Sequence, residues 1–191
     1  MSKLLKFAVA ALAASALAGP AFAQSTGTVT VDGTVADRCL FTDPADVISV
    51  GELALPGSDA NAGRLDASKI NNESRTLVGW CNGTAATMTV EAQPLLNSDF
   101  TGAAPAGFDQ RIDFTASAAA NSATATDSST AASPGAGAAV NVGMFTGNVV
   151  VTLSSPTTPG GGLLVAGDYN GQVLVTLTPN VSFNVPPAET E

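Results

Sequence analysis

Two cysteines and no histidine leave this chain of 191 residues a short list of possible chemistries. Without an imidazole there is no Ser-His-Asp or Cys-His nucleophile, no His-ligated zinc and no usual general base near neutrality. Cys39 and Cys81 are too few for a four-thiolate zinc site. They form no Cys-x-x-Cys and Cys81 lacks the basic surroundings of a reactive thiol, so one structural disulfide is the chemistry expected of them. Closing that loop would stabilise the fold by about 4 kcal/mol. The 16 acidic residues could in principle furnish a carboxylate-pair hydrolase. No pair stands out among them, and the chain is expected not to be an enzyme. Asp43, Asp46, Asp109 and Asp113 could offer oxygens to calcium, but they match no calcium-loop spacing and read as turn-forming or solvated. No cofactor and no metal is expected. Asn72-Glu73-Ser74, Asn82-Gly83-Thr84 and Asn180-Val181-Ser182 fit the glycosylation sequon, with no other mark of a glycosylated chain. Trp80, beside Cys81, reads as core packing.

The first segment to be placed is one that the fold does not keep. Met1–Ala23 has Lys3 and Lys6, a short apolar run over Phe7–Ala18, and Ala21-Phe22-Ala23, the small-x-small pattern that a signal peptidase cuts after. That run is too short to span a bilayer, and no later stretch is long and apolar enough, so no membrane insertion is expected. The mature chain is expected to begin at Gln24, exported through a periplasm to the cell surface or beyond, where two thiols can pair. Losing Lys3 and Lys6 takes the net charge of −9 two units lower, to −11. An acidic surface with only 12% charged residues speaks against nucleic acid and anionic membrane as partners. What remains is long enough for one domain with a real core.

Alternation dominates that remainder. Over Gln24–Phe41, Gly27, Val29, Val31, Gly33 and Val35 share one parity, and Thr28, Thr30, Asp32 and Thr34 the other, which predicts a strand with one apolar face. Val47–Leu55 is a second strand-like run, and Ser58–Arg75 is polar and turn-rich. Thr76–Cys81 and Ala85–Gln93 read as two strands or one bulged strand about Asn82-Gly83, with a hairpin as the competing reading. A strand is predicted around Arg111–Phe114. Thr115–Ala139 is almost entirely Ala, Ser, Thr and Gly with no apolar face written into it, and a long surface loop is predicted there. Val140–Ser154, with a break at Gly147-Asn148, and Tyr169–Thr178 return to strand chemistry. In the latter, Tyr169, Gly171, Val173, Val175 and Leu177 share a parity, and Pro179 should end it. The expected organisation is a leader at 1–23, a sandwich domain at 24–179 with a loop at 115–139, and a C-terminal extension at 180–191. Short strands between turn clusters, with no convincing helix, predict an all-β antiparallel sandwich.

Three segments together resemble the major subunits of bacterial chaperone–usher fimbriae and the related spore-coat-protein-U-like secreted domains. They are GTVTVDGTVADRC at Gly27–Cys39, TLVGWCNGTAATMTVEA at Thr76–Ala92, and LVAGDYNGQVLVTLTP at Leu163–Pro179. The resemblance implies an immunoglobulin-like Greek-key sandwich that lacks its last strand. A periplasmic chaperone would first fill the gap, and the N-terminal strand of the next copy would replace it at an outer-membrane usher. In this chain the donor strand would present Gly27, Val29 and Val31, and the acceptor groove would be lined by Tyr169, Val173, Val175 and Leu177. The resemblance thus implies a filament subunit whose partners are copies of itself, the chaperone and the usher. The alternative is a self-complemented monomeric binding or coat module, in which Val181–Val185 supplies the missing strand from the same chain.

Overall fold

The computed structural model describes residues 25–130 and 135–180. The chain divides into two units, 1–34 and 35–191, and each is described by itself. In the first unit, residues 25–34 lie outside regular secondary structure, with Val29 and Val31 exposed. The strand predicted over Gln24–Phe41 is therefore much shorter in the chain, where only its end, β1 (Cys39–Asp43), is paired. An alternating segment becomes a strand only when a neighbour takes its backbone hydrogen bonds.

The second unit is an antiparallel β-sandwich. Its strands are β1, β2 (Ser74–Cys81), β3 (Thr87–Asn97), β4 (Phe108–Asp109), β5 (Arg111–Ala120), β6 (Ala123–Ser128), β7 (Val140–Asn141), β8 (Phe145–Thr157), β9 (Leu163–Leu164) and β10 (Tyr169–Thr178). One layer runs β1-β2-β8-β5-β6, and the other sets β3 between β10 and β7. The layers join where the start of β5 pairs with the end of β3, Leu95 opposite Ile112, before β5 turns away to pair with β8. A small parallel pair, β4 with β9, stands apart. Met88, Val90, Ile112 and Val149 are wholly sealed between the layers.

Several expectations need correction. The loop predicted over Thr115–Ala139 is overturned over 115–128, which belongs to the β5–β6 hairpin closed by Asn121 and Ser122 at φ 45° and 65°. Two residues with positive φ form the hairpin turn whose twist suits its strands. The inward positions are Ala116, Ala118, Ala120 and Ala125, all buried, so the apolar face exists but is made of methyl groups. Val47–Leu55 is not a strand; only Ala54 makes a bridge, to Leu65. Asn82-Gly83 forms no hairpin, since β2 and β3 lie in different layers. The Asn82 side chain instead accepts from Arg38 N at 2.6 Å and donates to Ala36 O at 3.0 Å. Strand β8 runs unbroken through Gly147-Asn148.

Candidate functional site: an open edge between the first and last strands

The two ends of the sheet, β1 and β10, are edges. Strand β10 pairs with β3 along its whole length, Val175 opposite Val90 and Leu177 opposite Met88, and nothing described pairs with its other side. A bulge at Asn170–Gln172 centres on Gly171. A Cβ there would stand 2.8 Å from Pro94 O, so only glycine permits this approach. The Tyr169 hydroxyl donates to Val165 O at 2.9 Å and Asp109 O at 3.2 Å, anchoring the start of the strand.

The inward face of β10 is left unfinished. Tyr169, Val173, Val175 and Leu177 all pack against the core, yet each is only half-buried, whereas Val90 and Met88 beside them are fully buried. Across the gap stands Phe41 of β1, and Ile48 and Val50, on the chain that follows β1, are likewise half-buried against the core. Phe41 Cδ1 and Leu177 Cδ1 lie 3.0 and 3.3 Å from where a Cβ on Gly79 would be, so the two rims meet over that glycine. That gap is the candidate groove, with Gly79 where its rims meet and Tyr169 toward the other end of β10. The stretch carrying Ile48 and Val50 is tethered by Arg75, whose Nε donates to Val47 O at 2.8 Å and lies 3.9 Å from Asp46.

The structure sets Tyr169, Val173, Val175 and Leu177 half-buried against the core on β10, where they border the candidate groove. Gly27, Val29 and Val31 lie in the separate first unit. Phe41 and Gly79 were missed as residues bordering that gap; the parity set by Cys81 could have placed Gly79 on the inner face of β2. Cys39 and Cys81 form the disulfide, directly opposite each other in the β1–β2 register with Cα atoms 4.2 Å apart. This bond ties the β1 rim down, and it places the chain outside a reducing cytosol. No helix among the described residues is long and apolar enough to cross a membrane.

Two of the four singled-out aspartates are not solvated. Asp109 is buried and accepts from Gly160 N at 2.9 Å and Gly162 N at 2.6 Å. Asp113 is buried against the Arg111 guanidinium at 2.6 Å and Ser129 Oγ at 3.1 Å. Both carboxylates are spent on holding loops and strand ends. Among the described residues no group of three or more His, Cys, Asp or Glu is arranged to hold a metal. A shallow depression of about 290 Å³ beside Arg64 and Thr157 offers no reactive pair, and Arg64 itself donates to Gly161 O. Trp80 is not core: it faces outward between the inward Gly79 and Cys81, beside Leu40. Comparison with known proteins returns no matching family model, curated protein or solved structure.

Proposed function

We propose that this chain is a structural subunit of a bacterial surface fimbria or coat-like assembly, exported and polymerised when one copy's N-terminal segment fills the next copy's open edge. The observation that carries the reading is the half-exposed apolar face of β10 on an edge that no described residue pairs with. Such an edge invites strand addition, and an incoming strand satisfies its backbone groups while completing the core. The sandwich on this reading is immunoglobulin-like and one strand short.

The donor has the right length and pattern. Residues 25–34 extend to about 33 Å, the same reach as the ten residues of β10. Gly27, Val29 and Val31 alternate at the spacing of Val173, Val175 and Leu177. A periplasmic chaperone and an outer-membrane usher are the partners such assembly calls for, since a bare groove exposes apolar surface during export. The absence of an imidazole and the use of the buried aspartates as structural props favour a binding role over catalysis.

Self-complementation by Val181–Val185 is the competing reading, and that segment lies outside the described residues. Pairing arithmetic weighs against it. A two-residue connection through Pro179-Asn180 sets Ser182 opposite Leu177 and Asn184 opposite Val175, polar groups in an apolar groove. A three-residue connection sets Phe183 and Val185 there instead, but Pro186-Pro187 ends the strand with half of β10 uncovered.

The test is assembly of a chain with Val29→Asp and Val31→Asp together. Each change would bury an unpaired carboxylate in a neighbour's groove, at a cost of several kcal/mol. Electron microscopy should show filaments from the wild type and none from the variant, whose own fold stays intact. Filaments from the doubly charged chain would reject N-terminal donation.

A further inference from the structure

Two asparagines in this chain are followed by glycine, Asn82-Gly83 and Asn170-Gly171. Asn-Gly is the dipeptide in which an asparagine side chain is most open to attack by its own main chain, because glycine puts no side chain in the way. The fold treats the two in opposite ways. At Asn82 both ends of the side-chain amide are held, Oδ1 by Arg38 N at 2.6 Å and Nδ2 by Ala36 O at 3.0 Å. Gly83 is buried, and a Cβ on it would stand 3.0 Å from the Asp37 carboxylate. A negative charge that close disfavours the loss of a proton from the Gly83 amide.

At Asn170 these restraints are missing. Asn170 and Gly171 are both exposed. Among the described residues the Asn170 amide makes one hydrogen bond, from Nδ2 to the exposed Ser98 hydroxyl at 3.1 Å, and its Oδ1 accepts nothing. Gly171 also falls where the β10–β3 ladder slips. Asn170 lies opposite Leu96 and Gln172 opposite Gln93, which leaves Gly171 without a partner in the register. Strand β3 carries Pro94 at this point, and proline has no N–H to give the ladder. No larger residue can replace the glycine, since a Cβ would meet Pro94 O at 2.8 Å and Gln93 O at 2.9 Å. The bulge thus fixes a reactive dipeptide near the start of an edge strand.

We propose that Asn170-Gly171 is a site of spontaneous deamidation, which the fold selects over Asn82-Gly83. The Gly171 nitrogen gives its proton to a solvent base and bonds to Asn170 Cγ. The Cγ–Nδ2 bond breaks, and ammonia leaves with the proton returned by the base. Water then opens the cyclic imide at either carbonyl. Water is consumed and ammonia released, with no oxidant or reductant. The product is aspartate at position 170 or its β-linked isomer, and either sets a new carboxylate close in sequence to Asp168, whose N–H donates to the Asp99 carboxylate at 2.8 Å. The isomer also routes the main chain through the side-chain carbon, lengthening β10 by a methylene between Tyr169 and Gln172. Tyr169 is anchored to Val165 O and Asp109 O, so the strand beyond it loses its register. The site stands whether or not the edge receives a donor strand.

The experiment holds the mature chain, disulfide intact, in mildly alkaline buffer made with heavy-oxygen water, and maps peptic peptides by mass spectrometry over time. Heavy oxygen should enter position 170 at least tenfold faster than position 82. In urea with the disulfide reduced, where the fold no longer selects, the two positions should convert at comparable rates. Asn170→Gln, whose longer side chain closes the ring far more slowly, should abolish the fast conversion. In the converted fraction, amides from Tyr169 to Leu177 should exchange faster than in the unconverted chain. Equal rates at the two positions of the folded chain, or faster conversion at position 82, overturns the proposal. So does a folded chain inert at position 170 under conditions in which the urea-treated chain converts there.

Discussion

The sandwich treats its two sides in opposite ways. On one side, β5 crosses from β3 to β8, and the chain beyond β6 returns to cover what would otherwise be a second gap. Gly137 N donates to Val90 O at 2.8 Å, Val142 N to Ala86 O at 2.9 Å, and the Asp127 carboxylate accepts from Ala92 N at 2.8 Å. Most inward side chains there are sealed, Ala116, Ala118, Ala120 and Ala125 of the β5–β6 hairpin among them. On the other side β10 contributes no fully buried residue, although four of its side chains point inward. The β1 rim opposite is held by a covalent bond rather than by a further strand. The chain can evidently write a closed edge, and the open one is made of larger apolar residues than the closed one. On the strand-donation proposal, the half-exposed Val and Leu of β10 are the surface that a partner's knobs would cover.

The largest effect expected from this asymmetry concerns the disulfide. Replacing Cys39 and Cys81 by alanine should cost about 4 kcal/mol from the 42-residue separation that the bond closes. The loss should loosen β1 more than β6, as amide exchange on the two strands would show. Equal loosening at both edges would mean that the bond steadies the whole domain and not the groove rim.

A smaller effect compares two valines that lie directly opposite each other. Val90→Ala, at a sealed position, should cost about 2–3 kcal/mol in the lone subunit, from two lost methyl groups plus the cavity they leave. Val175→Ala, at the half-exposed partner position, should cost about 1 kcal/mol, because water already wets it. In assembled filaments the two costs should converge. Urea denaturation of both variants, alone and assembled, measures this directly.

The smallest effect lies far from either edge. Asp66 caps the short helical turn Ala67–Lys69. Its carboxyl is held below the ordinary carboxylate value first by the Ser68 hydroxyl, which outweighs the opposing desolvation, with the Ser68 backbone N–H and Lys69 adding to the lowering. A depressed pKa stabilises the folded chain above the ordinary carboxylate value, and that contribution fades as pH falls through the folded value. Asp66→Asn should therefore lower stability slightly at neutral pH and flatten the acid-side slope, with the two chains converging at low pH, as acid titrations of both would reveal.

Much of this comparison was written in the sequence, and the part that was not has a physical reason. The closing strand Tyr169–Thr178, its inward parity and the Cys39–Cys81 pair could all be read directly, because large apolar residues at period two leave a plain signal. The hairpin at Ala116–Ala125 was illegible because its inward face is alanine, which serves loops, helices and tight sheet packing equally well. The N-terminal alternation was legible as strand-forming, but alternation names a face and never the neighbour that will pair with it. Phe41 and Gly79 escaped notice because they become groove residues only once β1 and β10 are brought to the same gap.

The central claim is that β10 awaits a strand from another copy, and hydrogen exchange on its amides tests it most directly. Mature subunit would be measured alone and with a synthetic peptide spanning Gln24–Val35, alongside a peptide carrying aspartate at both Val29 and Val31. The account predicts that in the lone subunit the outward amides of β10 exchange far faster than those of β3. The natural peptide should slow them at least tenfold, and the charged peptide should not. Protection of β10 in the lone chain equal to that of β3, with no response to the peptide, would show the edge already filled and would contradict strand donation.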